Sequence, residues 1–210
     1  MVTGTPIIFL DIDGVINSHD WWERRKGIVP RESRGLYDLD PLACLRLQDI
    51  CEGTKASLVL TSTWRLNRSL AAVQKLFVQR GITAPLIGRT PSLRHHEADF
   101  EEPWSRMGRG LEVQWWLRTY LGDEGTCNAK FVCLDDDKDF GDLLGKLVQT
   151  RMATGLTDLE GDYVYKHLGE SLMNSMAAGG KGRVLFEHDA LTLTPWWGKQ
   201  TGPFGPTRKV

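Results

Sequence analysis

Ile7-Ile8-Phe9-Leu10-Asp11-Ile12-Asp13-Gly14-Val15 is the stretch that decides the fold. An apolar run stops at two carboxylates one residue apart, and a glycine follows. Side chains two apart on a strand share a side. If Pro6 to Leu10 is a buried parallel strand, Asp11 and Asp13 both face what lies beyond its carboxyl end, where open α/β sheets bind ligands. Gly14 lets the chain turn away sharply. Two like charges this close need a cation, or one must hold a proton. Either way the pair points to chemistry: a hard metal on oxygen ligands, or a nucleophile beside a general acid. A calcium loop of the D-x-D-x-D-G kind fails on spacing, because the sixth and twelfth positions from Asp11 are Ile16 and Trp22.

Bulk properties narrow the surroundings of that stretch. The chain of 210 residues is 41% apolar and 25% charged, as expected of one globular domain with a decoration or two. A formal net charge of −1 gives no overall pull toward nucleic acid or anionic membrane, so any phosphate-binding surface must be local. No apolar run approaches the ~20 residues of a membrane span, and no signal-peptide layout opens the chain, which predicts a cytoplasmic protein without membrane partners. Cys44, Cys51, Cys127 and Cys133 form no C-x-x-C pair, so structural zinc is not expected and the thiols read as reduced.

Two further strand ends repeat the pattern of the first. Ala56 to Leu60 reads as a strand stopping at Thr61-Ser62-Thr63-Trp64-Arg65, whose hydroxyls and free backbone N–H groups suit a phosphoryl oxygen. Ala84 to Ile87 reads as a short third strand. Lys130 to Leu134 reads as a fourth, ending in Asp135-Asp136-Asp137-Lys138-Asp139. That second acidic cluster matches Asp11 and Asp13 in placement, which favours a metal site over a solvated turn. A fifth, edge strand is expected at Leu147–Thr150.

Between the strands lie amphipathic helices, expected from Pro41 to near Gly53, from Asn67 to Gln79, from Gly108 to Gly122, and from Gly155 to about Met176. Asp38 or Asp40 can cap the first. Arg109 sits at the start of the third, where a basic residue opposes the helix dipole; breaking a local rule marks it as a candidate anion contact. Residues 15–37 read as a small insert without a clear period. It carries Trp21, Trp22, Arg24, Arg25, Lys26, Arg31 and Arg34. Either it is a solvated loop, or it is a flap in which Arg24 and Arg25 hold a phosphate and Trp21 stacks on a base. His95-His96 is a weak metal candidate, since adjacent side chains point apart. The boundaries expected are one catalytic domain over 1–176 and a Gly- and Pro-rich extension over 177–210.

The ordered set hhhh-D-x-D-G-V, hhh-T-S-T-W-R, G-R-G-x-E and hhh-L-D-D-D resembles the haloacid dehalogenase-like (HAD) phosphatase superfamily over about Ile7 to Thr157. More narrowly it is similar to HAD domains of bacterial and phage nucleic-acid repair proteins and nucleotide 5′-phosphatases. The resemblance implies a Rossmann-like parallel sheet with helices on both faces and a minimal cap after the first strand. It implies Asp11 as the nucleophile, Asp13 as general acid and base, Thr61 (with Ser62 its rival) as the hydroxyl of the second motif, and Arg109 as the basic third motif, for which Arg65 and Arg89 are rivals. Asp135 and Asp136 would hold Mg²⁺ with Asp11 and the Asp13 carbonyl, assisted by Asp139. The expected activity is Mg²⁺-dependent hydrolysis of phosphate monoesters of nucleotides or polynucleotide ends. The alternatives are a small-metabolite phosphatase and a non-catalytic phosphate binder.

Overall fold

In the computed structural model, residues 4–26, 38–93 and 108–168 are described. Five strands, β1 (Ile7–Leu10), β2 (Ser57–Leu60), β3 (Leu86–Arg89), β4 (Phe131–Asp135) and β5 (Leu147–Gln149), form one sheet in the order β3-β2-β1-β4-β5. Every pairing is parallel. Parallel strands need long crossovers, and the intervening helices supply them. They are α1 (His19–Arg24), α2 (Pro41–Thr54), α3 (Trp64–Asn67), α4 (Leu70–Gln79), α5 (Arg109–Asn128) and α6 (Asp158–Leu168), with a 3₁₀ turn at Gly141–Lys146.

A parallel strand buried on both faces must be apolar throughout, and β1, β2 and β4 are fully buried along their lengths. Alternation divides their side chains between two cores. Ile8, Leu10, Leu58, Leu60, Val132 and Leu134 pack with Leu47 of α2, Val73 and Phe77 of α4 and Val164 of α6. Ile7, Phe9, Val59, Phe131 and Cys133 pack with Val113, Trp116 and Leu117 of α5. Phe9 meets Trp116 and Phe131 edge-on, at centroid distances of 5.5 and 5.7 Å. Trp115 stays 48% exposed while Trp116 is buried, so the tandem pair divides between flank and core. Helices therefore cover both faces, the doubly wound arrangement anticipated from the strand-end motifs.

The topology also places the site. From β1 the chain winds outward to β2 and β3, then returns to the far side of β1 for β4 and β5. The reversal falls between β1 and β4, and ligands bind at the carboxyl ends of strands at such a switch point. Register Leu60–Leu10–Leu134 runs across the three central strands. One residue on, the Thr61 amide donates to the Leu10 carbonyl (2.8 Å) and the Asp11 amide to the Leu134 carbonyl (3.0 Å). Thr61, Asp11 and Asp135 thus stand in one row along the sheet's carboxyl edge.

Several expected boundaries move. Val15 and Ile16 are fully buried, and Asn17 and Ser18 nearly so, so the insert after β1 begins later than residue 15. Ser18 caps the short α1, whose first amides, His19 and Asp20, donate to the Met152 and Ala153 carbonyls. Asp40, not Asp38, caps α2, and α2 ends at Lys55 in the left-handed region (φ 58°) rather than at Gly53. The helix expected over 67–79 starts three residues later: Asn67 ends the separate α3, and Ser69 caps α4, which runs to Gln79. Gly122 (φ 71°) kinks α5 instead of ending it. His95-His96, residues 27–37 of the insert and the 177–210 extension lie outside the described residues. Among the described residues, no helix is long and apolar enough to cross a membrane.

The G-R-G opening of α5 has a steric cause. A Cβ on Gly108 would overlap the Asp139 carbonyl, and one on Gly110 the Phe140 carbonyl. The Gly110 amide donates to the Asp139 carbonyl at 3.2 Å. Only glycines let the helix start lie on the backbone after β4. Because the obstacle is backbone, Gly110→Ala is expected to cost at least about 1–3 kcal/mol, and to displace Arg109. A lowered denaturation midpoint at unchanged m-value, together with lost activity, checks this.

Candidate active site

A cleft of about 360 Å³ at the carboxyl edge is lined by Asp11, Asp13, Thr63, Arg109, Asp136, Asp137 and Met152. Strand β1 delivers Asp11, buried at 2% exposure; β4 ends in Asp135, at 0%. Asp11, Asp135 and Asp136 each offer an oxygen within 4.8 Å of the other two. An octahedral ion with bonds of about 2.1 Å sets its ligands ~3.0–4.2 Å apart, so small side-chain rotations suffice to close three carboxylates around it. Hard oxygen donors suit Mg²⁺.

Arg109 enters from the start of α5, on the sheet face that Phe9 and Cys133 share. Its Nη1 donates to Asp135 Oδ2 and lies 3.0 Å from Asp11 Oδ2. Burial opposes the guanidinium charge, but Asp11 and Asp135 outweigh it and hold its pKa above the ordinary arginine value. Asp135 Oδ1 also accepts from the Asp137 amide at 2.9 Å. Three carboxylates against one guanidinium leave an excess of negative charge. Accordingly Asp135 is raised from 3.8 to about 7, first by burial and then by the charge of Asp11. Asp136 is raised for the same two reasons.

An acid raised in the fold stabilises it below the unfolded pKa and loses that contribution as pH climbs through the folded value. In metal-free buffer, stability from Asp135 should therefore decline between about pH 4 and pH 7. A cation in the cluster removes the penalty. A fixed Mg²⁺ concentration equal to 100 times its Kd at pH 8 should add about 2.7 kcal/mol there, and less at pH 5, where protons compete for the same carboxylates. Thermal melts with Mg²⁺ and with EDTA measure this.

Gly14 (φ 78°) closes the first turn, and a Cβ there would overlap the Asp136 carboxyl group. Its carbonyl accepts from Thr150 Oγ1 at 2.7 Å, tying the turn to the end of β5. Asp13 lines the cleft with both oxygens held: Oδ1 accepts from Asn17 Nδ2 at 2.7 Å, and Oδ2 from Trp64 Nε1 at 3.2 Å. Its side chain is not part of the three-carboxylate group. At the end of β2, Thr61 Oγ1 is buried without a hydrogen-bond partner among the described residues. Ser62 Oγ instead accepts from the Trp64 amide, at 3.4 Å.

Other residues expected at the substrate have different partners. Arg24 pairs with Asp40 (2.9 Å) and Arg25 with Asp38 (2.8 Å), across the entrance to α2. Neither they nor Trp21 line the cleft; Arg24 instead lies over the Trp21 ring, 5.7 Å from its centroid. Their charge faces two aspartates at the entrance to α2, and residues 27–37 of the expected loop or flap lie outside the described residues. Arg65 is corrected. It is buried, pairs with Glu112 (2.6 Å), and donates to the Thr61 and Pro91 carbonyls. Arg89 Nη1 donates to the Arg65 carbonyl at 2.7 Å. Of the three arginines considered for the third motif, Arg109 alone lines the cleft.

Sequence reasoning missed Asn17, Glu112 and Met152, and gave Trp64 no task. Glu112 stood in the quoted G-R-G-x-E pattern, and that was its only signal. Cys44, Cys51 and Cys133 are buried free thiols, whose pKa values burial pushes up, so they read as packing.

A family model described as "HAD domain in Swiss Army Knife RNA repair proteins" matches residues 7–160. Comparison with curated proteins and with solved structures gives no match.

Proposed function

Because this chain belongs to the HAD domain family of Swiss Army Knife RNA repair proteins, and so to a phosphatase-type superfamily, we propose that it is a Mg²⁺-dependent phosphomonoesterase acting on phosphorylated RNA ends. The observation that carries this is the row Thr61–Asp11–Asp135 with Arg109 and Asp136 around it. Distant parts of the chain bring a nucleophile, cation ligands and a fixed positive charge to one strand edge.

An Asp11 oxygen attacks phosphorus, the bond from phosphorus to the RNA oxygen breaks, and Asp13 gives that oxygen its proton. Water then attacks the aspartyl-phosphate, Asp13 takes its proton, and the Asp11 carboxylate and inorganic phosphate are released. Asp11, Asp135 and Asp136 would hold Mg²⁺, and its charge would let a dianionic phosphate approach the carboxylates. Arg109 balances charge on the equatorial oxygens, and the Thr61 hydroxyl donates to one of them.

The test is a substrate panel with Mg²⁺: 3′- and 5′-phosphorylated oligoribonucleotides, nucleoside monophosphates and sugar phosphates. Highest kcat/KM on an oligonucleotide end supports the proposal. Highest kcat/KM on sugar phosphates overturns the substrate, and no hydrolysis of any member overturns the activity.

A further inference from the structure

We infer that Trp64 and Asn17 are positioning residues that aim the Asp13 carboxyl group at the leaving oxygen. The inference rests on the phosphatase reading above.

Asp13 is half-buried and lines the cleft, so its carboxyl group needs partners to hold one orientation. Two neutral donors are those partners. Asn17 Nδ2 donates to Oδ1 at 2.7 Å, while the same amide's Oδ1 accepts from the Gly14 N–H at 3.0 Å. One side chain therefore fixes both the carboxyl group and the backbone that follows it. Trp64 arrives from the β2–α3 junction, 51 residues on in sequence, and donates from Nε1 to the other oxygen. Its ring packs against the core, and the Arg68 guanidinium lies over it, 4.4 Å from the centroid. Restraining both oxygens fixes the two torsions of an aspartate. The other aspartates are held differently. Asp11 and Asp135 share the charge of Arg109, whereas among the described residues Asp13 is held by two neutral donors, which orient a carboxyl group without adding a counter-ion.

A proton donor matters most when the departing oxygen is a strong base. Phenolate is such a base and p-nitrophenolate is not, although the two phosphate esters have nearly the same shape. The readout is kcat/KM, which covers steps through phosphoryl transfer to Asp11. In Trp64→Phe, and with benzothienylalanine at position 64 to keep the ring size while removing only the N–H, kcat/KM for phenyl phosphate should fall about tenfold, as expected for a misaligned general acid. For p-nitrophenyl phosphate it should fall less than about threefold. Asp13→Asn should show the same ordering at larger size. Equal losses on both esters, or no loss on either, overturn the inference alone. Absence of turnover by the wild-type protein on both esters overturns the phosphatase reading and the inference with it.

Discussion

Asp11→Asn is expected to abolish phosphomonoester hydrolysis, lowering kcat by at least about 10⁴-fold, in a protein that remains folded. The amide keeps the carboxylate's shape but cannot attack phosphorus. It also removes one of three clustered negative charges. The loss of the 3.0 Å pairing with Arg109 is offset by relief at Asp135, where Asp11 is the chief electrostatic cause of the raised pKa after burial. The melting temperature in EDTA should stay close to wild type, while the gain on adding Mg²⁺ should shrink. Steady-state kinetics and paired melts separate lost chemistry from lost structure. A variant that still turned over would remove Asp11 from the nucleophile's role.

Glu112→Ala should be the most destabilising single change outside the apolar cores. Arg65 and Glu112 are about 6% and 5% exposed, and their 2.6 Å ion pair joins the β2–α3 turn to α5. Glu112 also accepts from the Leu93 amide at 3.1 Å. Removing it leaves a guanidinium buried beside the Thr61 carbonyl, a loss of about 3–5 kcal/mol. In a domain of this size that lowers Tm by roughly 6–20 °C. The double change Arg65→Met with Glu112→Leu should recover most of the stability, because no buried charge is left alone. Activity should not recover with it, since the Arg65 hydrogen bond to the Thr61 carbonyl is gone. Urea titration of the three variants checks the ordering.

The sheet and its catalytic edge were legible because each motif follows an apolar run, and an apolar run that stops abruptly marks where a buried strand leaves the core. Asp11, Asp13, Arg109 and Asp136 duly line one cleft, with Thr61 and Asp135 in the row beneath it. The insert stayed open between loop and flap because a charge cluster looks the same whether its partner is a ligand or another part of the chain. Arg24 and Arg25 find Asp40 and Asp38, 16 and 13 residues away, at a spacing no local rule encodes. The start of α4 was placed three residues early because its deciding feature, Ser69 accepting from the Ala72 amide, is a single cap. Glu112 was invisible for another reason. A buried carboxylate and an exposed one have the same letter, and only the packing of α5 against the β2–α3 turn separates them.

The central claim is that Asp11 bonds to phosphorus while its neighbours hold a divalent ion. Acid quenching during turnover with Mg²⁺, followed by borohydride reduction and peptide mass spectrometry, tests it most directly. The account predicts homoserine at position 11, dependent on both substrate and Mg²⁺. Turnover with position 11 unmodified, or homoserine formed at Asp13 instead, would contradict it.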